Sequence, residues 1–483
     1  MTPYQTFADL SRNLRRKDPG VPRPVVCMQG LGFVGTAMAL AVAQARDLAG
    51  FPRFNVIGVD LPNREGLAKI DAVNRGILPF ACEDPKLETA MRQAHQEGNL
   101  LATTEPAIYS LASVILVDVD LDLVYEKGEP KVPLDGFREA IRTLGTYMPK
   151  GCLVIVETTV PPGTCAKLVA PLLAEAAVAR GFPQDAFLLA HAYERVMPGK
   201  EYFDSIVRFW RVYAGHTEAA AQACEAFLSQ VIDVQQFPLT RLGSTTASEI
   251  GKVLENSYRA VNIAFMEEWG RFAERLNIDL FEVVRAIRIR PTHSNMRQPG
   301  FGVGGYCLTK DPLMTVIAGR DLLGLTNLEF PFCQMAVATN QAMPLVSLDK
   351  VQELLGGELQ GKTLILLGVS YRQDIGDTRN SPSQTFVEQA RVRGAQIICH
   401  DPYVSYWPEI EIRLPSELPS PREAQAVVFA IPHEAYLNLD ILAWLNGAQP
   451  LIFDANEVLT FRQIKDLKGA GIPVWRIGRG QET

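Results

Sequence analysis

A glycine-rich segment near the start of the chain has the residue types and spacing of a nucleotide-binding turn. GLGFVG at 30–35 follows a short apolar run at 24–29 and precedes an alanine-rich stretch at 36–45. Such glycines permit a tight turn and close approach of the backbone to a pyrophosphate, and a following helix N-terminus favours the anion. Asp60 ends the next apolar run, where a carboxylate accepts hydrogen bonds from ribose hydroxyls and repels a 2′-phosphate. The pattern predicts NAD as the cofactor, bound by Gly30, Gly32, Phe33, Val34, Gly35 and Asp60.

A second glycine-rich segment, PGFGVGGYCLTKDP at 299–312, contains a cysteine. Four glycines precede Cys307, so the backbone can approach a ligand closely and leave the thiol accessible. Lys310 and Asp311 follow within four residues. A cysteine in an arbitrary position is more often an inert core residue. Because reactivity depends on exposure and on nearby cations, we interpret Cys307 as a nucleophile and the other seven cysteines as structural.

Polar residues elsewhere mark further candidate positions. Lys252 and Asn256 are four residues apart in a predicted helix and share one face, although this spacing also fits an exposed polar stripe. Glu194 follows a predicted strand at 187–190, a position where α/β sheets carry active sites. ETTVPPGT at 157–164 similarly places two threonines and a rigid turn at the end of a strand.

These residues are separated by apolar runs that alternate with helical patterns, which is typical of parallel sheets covered by helices on both faces. From about residue 217 to 342 the pattern becomes helical, with one long helix predicted over 246–276 and helical spacing again over 312–343. The predicted strands are 24–29, 54–60, 113–119, 153–157, 187–190, 363–367, 396–400, 426–431 and 451–454. The predicted fold class is α/β, with two Rossmann-like doubly wound lobes joined by a central helical domain that contains a long helix.

This alternation divides the chain of 483 residues into four parts. They are an N-terminal lead-in at 1–22, an NAD-binding Rossmann domain at 23–216, a central helical domain at 217–345 and a C-terminal α/β domain at 346–483. The apolar stripe of the central helices is a natural dimerisation surface, with a connecting role as the simpler alternative. We therefore expect a homodimer.

The composition excludes several classes of protein. A formal charge of −7 leaves no overall basic surface for nucleic acid, so an anionic substrate must be held by local cations or backbone amides. The cysteines are scattered singly, which predicts neither a metal site nor a disulfide framework. The polar start of the chain is unlike a secretory signal, and no apolar run reads as a continuous membrane-spanning helix. We expect a cytoplasmic protein with no nucleic-acid or membrane partner.

Taken together, these segments resemble the UDP-glucose/GDP-mannose dehydrogenase family, the nucleotide-sugar 6-dehydrogenases. The resemblance extends over nearly the whole chain. Its motifs are GLGFVG at 30, NRGILPF at 74, ETTVPPGT at 157, ERVMPG at 194, ENSYRAVNIA at 255, GVGGYC at 302, GVSYRQDIGDTRNSPS at 368 and HDPYV at 400. Several motifs in the right order are far more specific than any single one.

The resemblance implies a four-electron oxidation of the C6 alcohol of a nucleotide sugar to a carboxylate, with two NAD⁺ consumed. It makes Cys307 the thiol that captures the intermediate aldehyde, first as a thiohemiacetal and then as a thioester that is hydrolysed. Lys252 and Asn256 would stabilise negative charge on the C6 oxygen, and Asp311 and Glu194 would handle protons and the hydrolytic water. The implied positions near the cofactor are Thr159, Glu194, Lys310 and Arg379, and those near the substrate are Lys252, Asn256, Arg290, Gly302 and Gly304. The C-terminal domain would bind the UDP half of the sugar nucleotide.

The chain departs from the family pattern at four places. Tyr306 stands where many relatives have His or Ser, and Ala192-Tyr193 replaces a Ser-Pro pair. The segment 117–122 reads VDVDLD in place of a Pro-Thr-Pro turn, which removes a threonine and adds acidic residues near the expected cofactor. The substrate-loop arginine is ambiguous, with Arg290 and Arg297 as candidates and His293 nearest in spacing.

The sugar itself is left open by conflicting similarities. PGFGVGG resembles relatives that oxidise UDP-N-acetylhexosamines, whereas CLTKD is closer to UDP-glucose dehydrogenases. A UDP-sugar is expected in either case. Two alternatives remain: a two-electron β-hydroxyacid-type dehydrogenase, and a catalytically altered or non-catalytic nucleotide-sugar-binding protein on the same scaffold.

Overall fold

The computed structural model describes residues 23–196 and 199–481 and divides into two compact units. The first runs to Val253 and includes Met314–Leu328, and the second comprises Leu254–Leu313 and the residues from Glu329 onward. The predicted lead-in at 1–22 lies outside the described residues.

A sheet of short apolar strands forms the core of the first unit. Its strands and those of a small hairpin are β1 (Val25–Gln29), β2 (Asn55–Val59), β3 (Leu100–Thr103), β4 (Ala112–Val117), β5 (Val124–Glu126), β6 (Glu129–Lys131), β7 (Leu153–Val156), β8 (Leu188–His191), β9 (Val212–Gly215) and β10 (Thr240–Arg241). In the described part, the sheet order is β10-β9-β8-β7-β4-β1-β2-β3, with β5 and β6 paired separately. Neighbouring strands are parallel except β8 and β9, and β1 lies between β2 and β4, so the strand order reverses at β1. Ligands of such sheets bind outside the carboxyl ends of the strands at this point of reversal.

Four segments of the first unit lie at this edge because each follows a parallel strand. GLGFVG follows β1, Asp60 follows β2, Asp118 follows β4 and Glu157 follows β7. The strands are buried on both faces, as β1 is, and for this reason they appear in the sequence as continuous apolar runs. The helices of this unit are α1 (Phe33–Ala43), α2 (Arg64–Asn74), α3 (Pro85–Glu97), α4 (Asp135–Tyr147), α5 (Ala170–Ala179), α6 (Tyr202–Val207) and α7 (Glu218–Leu228).

One long helix, α8 (Thr245–Arg275), begins in the first unit and continues in the second. It contains no proline and only two glycines, so nothing in its sequence ends it early. In residues 23–196 and 199–481, no helix is both long and apolar enough to cross a membrane.

A second parallel sheet forms the core of the second unit. Its strands and a small hairpin are β11 (Thr363–Leu367), β12 (Gln396–His400), β13 (Tyr406–Trp407), β14 (Ile412–Arg413), β15 (Ala426–Phe429), β16 (Leu451–Asp454), β17 (Val474–Arg476) and β18 (Gly480–Gln481). The sheet order is β12-β11-β15-β16-β17-β18, and only β18 is antiparallel to its neighbour within the described residues. The remaining helices are α9 (Leu280–Arg288), α10 (Cys307–Ile317), α11 (Pro331–Leu354), α12 (Pro382–Val392), α13 (Glu434–Leu437), α14 (Ile441–Leu445) and α15 (Phe461–Gly469), of which α10 begins in the second unit and ends in the first. The predicted α/β fold class with two Rossmann-like lobes and a long central helix is confirmed.

Two details differ from the sequence analysis. The stretch 312–343, for which helical spacing was predicted, is divided between two helices, since α10 ends at Ile317 and α11 begins only at Pro331. Gly324, with a φ of +66°, and the proline at the first position of α11 interrupt the helix locally. The first sheet also extends to Arg241, past residue 216, because β9 and β10 add to its edge. The domain boundaries stay predictions.

Candidate active site

The GLGFVG turn has the geometry that a dinucleotide requires. Gly30 has a φ of +99°, and a Cβ there would collide with the carbonyl oxygen of Asp118. Gly32 caps α1 without any side-chain hydrogen bond, so no side chain competes with an anion for the amides that open the helix. Asp60 Oδ2 accepts a hydrogen bond of 2.9 Å from the Leu31 amide, which fixes the carboxylate at the end of β2. These residues fit NAD, which supplies a hydride acceptor when bound.

Beside this turn, the carboxyl end of the first sheet carries a buried ion pair. Arg211 Nη2 lies 3.0 Å from Glu157 Oε1, and both side chains are buried. Burial raises the pKa of Glu157 to about 7, although Arg211 acts to lower it. Thr158 Oγ1 accepts a hydrogen bond from the Val119 amide at 3.0 Å and so ties the ends of β4 and β7 together.

Lys252 and Glu194 form a second pair in the first unit. Lys252 Nζ donates to the backbone oxygen of Glu194 at 2.8 Å and lies 3.1 Å from its Oε1. Burial acts to raise the pKa of Glu194, but Lys252 and the Val196 amide outweigh it and lower the pKa. Tyr193, which replaces the proline of relatives, is buried with its ring 5.7 Å from Lys252 Nζ. Lys252 is therefore a buried cation with a defined position.

The start of α8 is held by a carboxylate that the sequence analysis did not single out. Glu249 accepts hydrogen bonds from the amides of Gly163 at 2.6 Å and Cys165 at 2.7 Å. Burial raises the pKa of Glu249 to about 7, and the two amides act to lower it. This contact joins α8 to the turn that follows β7, and Lys252 lies three residues further along the helix.

In the second unit, Cys307 is exposed and is the first residue of α10. The glycine loop before it is fixed by Asn340, which accepts from the Val303 amide at 2.8 Å and donates to the Val303 carbonyl at 2.7 Å. The Gly305 amide donates to the Arg379 carbonyl at 3.0 Å. A Cβ on Gly304 would lie only 2.7 Å from Tyr371 Cβ, so this close approach requires glycine. The loop thus presents the thiol on a rigid support.

Next to Cys307, a guanidinium lies over an aromatic ring. Arg379 is 4.5 Å from the centre of the Tyr306 ring, and its Nε is 2.8 Å from Asp377 Oδ1. Although burial acts to lower the pKa of Arg379, the ion pair with Asp377 raises it. Tyr306, which differs from the family pattern at the position before Cys307, therefore packs against a permanently charged guanidinium group.

Asn256 and Asp311 are brought together as buried partners. Asn256 Nδ2 donates to Asp311 Oδ2 at 2.7 Å, and Lys310 Nζ lies 3.1 Å from Asp311 Oδ1. Asn256 is 5% exposed and Lys252 is 7% exposed, so the alternative of an exposed polar stripe is wrong. Lys310, which the family resemblance placed near the cofactor, pairs with Asp311 in the second unit, where Arg379 also lies. Their assignment to the cofactor stays a prediction.

A cavity of about 280 Å³ lies in the second unit beside the glycine loop. Its walls combine arginine and amide groups with apolar side chains, namely Arg259, Arg297, Gln298, Asn456, Glu457, Ile263, Phe281, Val303, Leu308 and Met343, with Pro299, Gly300 and Gly302 from the loop. Burial lowers the pKa of Arg297, and the charges of Arg259 and Arg288 lower it further, which indicates a concentration of positive charge. Arg290 is exposed and does not line this cavity, whereas Arg297 does.

Three residues with structural roles at the site were not predicted from the sequence: Arg211, Glu249 and Asn340. Arg211 directly precedes the apolar strand β9. A charge at the start of a buried strand is costly unless an opposite charge pairs with it, and this was the available signal. Glu249 precedes Lys252 by three residues on the same helix, a spacing that places both near one face. Asn340 gave no signal beyond being a polar residue within a helix.

An α/β protein with this glycine turn and terminal acid belongs to the class of NAD-dependent dehydrogenases. Residues 25–232, 246–342 and 365–461 match the NAD binding, central and UDP binding domains of the UDP-glucose/GDP-mannose dehydrogenase family. The chain belongs to this family, and it is a nucleotide-sugar dehydrogenase that uses NAD.

Individual relatives align along most of their length. The chain is 28% identical over 464 residues to a UDP-N-acetyl-D-mannosamine dehydrogenase of Methanocaldococcus jannaschii, covering 95% of this chain and 97% of the relative. A crystal structure of an NDP-N-acetyl-D-galactosaminuronic acid dehydrogenase from Methanosarcina mazei is 27% identical, with a TM-score of 0.77 and 98% of each chain covered. A structure of the Pyrococcus horikoshii UDP-D-ManNAc dehydrogenase, also 27% identical with a TM-score of 0.77, covers 94% of this chain and 99% of its own.

Exposure distinguishes Cys307 from the other cysteines and predicts selective alkylation. Cys82 and Cys333 are half-buried and the remaining five are buried, with the pKa of Cys152 raised by burial to about 12. We expect iodoacetamide to modify Cys307 about tenfold faster than any other cysteine of the native protein, because reaction needs an accessible thiolate. Peptide mass spectrometry over a time course measures this, and earlier modification of Cys82 or Cys333 would contradict it.

Proposed function

We propose that this protein is a four-electron UDP-sugar 6-dehydrogenase that uses Cys307 as a covalent nucleophile. The observation that carries the proposal is the exposed thiol at the first residue of α10, on a glycine loop held by Asn340. The family membership supports the oxidation of a nucleotide sugar, and the retained thiol supports oxidation beyond the aldehyde. The β-hydroxyacid alternative needs neither this thiol nor a UDP binding domain.

The proposed sequence oxidises one carbon twice. The C6 alcohol loses a proton and a hydride to become an aldehyde, and the hydride goes to NAD⁺. The Cys307 sulfur then adds to the aldehyde carbon as a thiohemiacetal, which loses a second proton and hydride, to a second NAD⁺, and becomes a thioester. Water breaks the carbon–sulfur bond, which releases the carboxylate and restores the thiol.

The remaining residues take roles that agree with their contacts. Lys252, a buried cation, would stabilise negative charge on the C6 oxygen, and Asn256 would add a hydrogen bond. Glu194 has a lowered pKa and so is ionised, which suits it to hold Lys252 and to accept a proton. Asp311, held by Asn256 and Lys310, would direct the hydrolytic water.

The substrate we propose is a UDP-N-acetylhexosamine, with UDP-glucose as the second candidate. Relatives named as UDP-N-acetyl-D-mannosamine dehydrogenases, which align with 95% and 78% of this chain, support the first. The CLTKD segment at 307–311 favours the second. The cavity beside the glycine loop supports binding of the UDP group, because two arginines offer charge to a diphosphate and apolar walls offer contact to a base.

The stoichiometry of NADH formation tests the reaction. We expect about two NADH per sugar consumed with one member of a panel of UDP-GlcNAc, UDP-GalNAc, UDP-ManNAc, UDP-glucose and GDP-mannose, because an alcohol loses four electrons in becoming a carboxylate. Cys307→Ser should release about one NADH and stop at the aldehyde, whereas the control Cys333→Ser should still give two. One NADH per product from the wild type would indicate a two-electron enzyme, and tight UDP-sugar binding without any NADH would favour the non-catalytic alternative.

The cavity makes a separate prediction about UDP. Arg297→Gln should weaken UDP binding by about tenfold, because a charge-assisted contact to phosphate is lost, and should leave NAD binding unchanged. Isothermal titration with each ligand measures both. The control Arg285→Gln removes an exposed arginine of α9 that does not line the cavity, and equal losses in the two variants would reject the cavity as the UDP site.

We also propose that the protein is a homodimer through α8. An exposed apolar stripe supports this, formed on α8 by Leu254, Tyr258, Phe265, Trp269 and Phe272, which recur every three, four or seven residues, and continued by Leu276 just after the helix. A contiguous row of this kind on a helix is typical of a surface covered by a partner.

Phe272→Glu should convert the dimer to a monomer, because it places a charge within an apolar interface. Light scattering after size-exclusion chromatography measures the mass. The matched control is Val392→Glu, which changes another exposed apolar residue, at the end of α12, and should leave a dimer. If the wild-type protein has the mass of a monomer, the dimer proposal is wrong.

A further inference from the structure

Asp118 lies at the end of β4, against the turn that binds the cofactor. Its amide donates to the Gln29 carbonyl at 2.9 Å, which aligns it with the end of β1. Its Oδ2 is only 3.0 Å from the position that a Cβ on Gly35 would occupy, so the carboxyl group packs against the first turn of α1. A carboxyl group thus stands beside the helix N-terminus that favours the dinucleotide phosphates.

The charges around Asp118 do not balance. Three carboxyl groups, those of Asp118, Glu157 and Glu194, lie near one another at this edge of the first sheet. Two cations are committed to two of them, since Arg211 pairs with Glu157 and Lys252 pairs with Glu194. Within residues 23–196 and 199–481, no hydrogen bond or ion pair reaches the Asp118 carboxyl group.

Asp118 is half-buried, and all but one of the charged side chains that act on it oppose a charge on its carboxyl group. Burial raises its pKa most, followed by the charges of Glu157, Glu194 and the exposed Asp120, and only Arg211 acts to lower it. An anionic cofactor in the same place adds further negative charge. Each of two adjacent anions without a shared cation raises the free energy of the other's charged form, which favours protonation of one of them.

We infer that Asp118 binds NAD as a neutral carboxylic acid and donates a hydrogen bond to the cofactor's anionic portion. A residue that would repel the phosphates when ionised becomes a donor when protonated. The inference concerns the NAD site alone and depends neither on the sugar nor on the chemistry proposed for Cys307.

A pH dependence follows with a definite sign. The acid form is present below the raised pKa of Asp118 and is lost as the pH rises through it. NAD affinity should be greatest at low pH and should not increase toward high pH. Above the pKa of the NAD-free protein, the dissociation constant should rise by up to about tenfold per pH unit, because binding then requires uptake of one proton.

Two substitutions of similar size separate a donor from a repelling charge. Asp118→Asn keeps a neutral donor, so its dissociation constant for NAD⁺, measured by titration calorimetry without any sugar, should stay within about threefold of the wild type. Asp118→Leu removes the donor and should weaken binding by about tenfold or more. The control Asp122→Asn changes an exposed carboxylate of the same segment and should have no effect.

Tighter binding by Asp118→Asn would show that Asp118 is ionised and repels the cofactor, which overturns the inference. So would Asp118→Leu binding as tightly as Asp118→Asn, or wild-type affinity that increases with pH. Should Asp118→Leu fail to fold by circular dichroism, the Asn variant decides through its pH profile, which should be flatter than that of the wild type. Normal NAD binding combined with absent sugar oxidation would count against the proposed function only.

Discussion

The bond between Glu249 and the turn after β7 is the contact on which the arrangement in the first unit depends. Two backbone amides of that turn, those of Gly163 and Cys165, have their hydrogen bonds satisfied by one buried carboxylate. Leaving such groups unpaired inside a protein costs roughly 1–3 kcal/mol each. Because the carboxylate belongs to α8, the same hydrogen bonds fix the position of this helix along its axis relative to the turn. They thereby also fix the position of Lys252, about one helical turn further on.

Polar groups are held by different kinds of contact in the two units. The first keeps its charges in pairs at the ends of parallel strands, where Arg211 and Lys252 each face a glutamate. The second adds neutral amides to its ion pairs: Asn340 holds the backbone of the glycine loop, and Asn256 shares Asp311 with Lys310. The paired charges of the first unit lie at the carboxyl ends of its parallel strands, and the amides of the second unit fix the loop that carries the thiol.

The sequence allowed the elements to be predicted better than their partners. β11, β12 and β16 have the predicted limits, because short apolar runs bounded by turn residues are local signals. The NAD turn and the exposure of Cys307 were predictable for the same reason, since their glycines lie within a few residues of the function they serve. The helix break between Ile317 and Pro331 had local signals as well, but helical spacing on either side concealed them.

What could not be predicted depends on contacts distant in sequence. Arg211 and Glu157 are 54 residues apart, and Asn340 and Val303 are 37 apart. Spacing alone therefore gave no reason to connect them. Lys310 illustrates the same limit, because its neighbour Asp311 is its ion-pair partner and only the fold shows that both are buried.

The double hydrogen bond from Asn340 to Val303 has a consequence for the energetics of ligand capture. A glycine-rich loop is the part of a chain that loses most conformational freedom when it becomes ordered. Here the protein's own contacts order the loop during folding. The loop is therefore preorganised for a ligand, and binding carries little entropic cost for ordering the backbone.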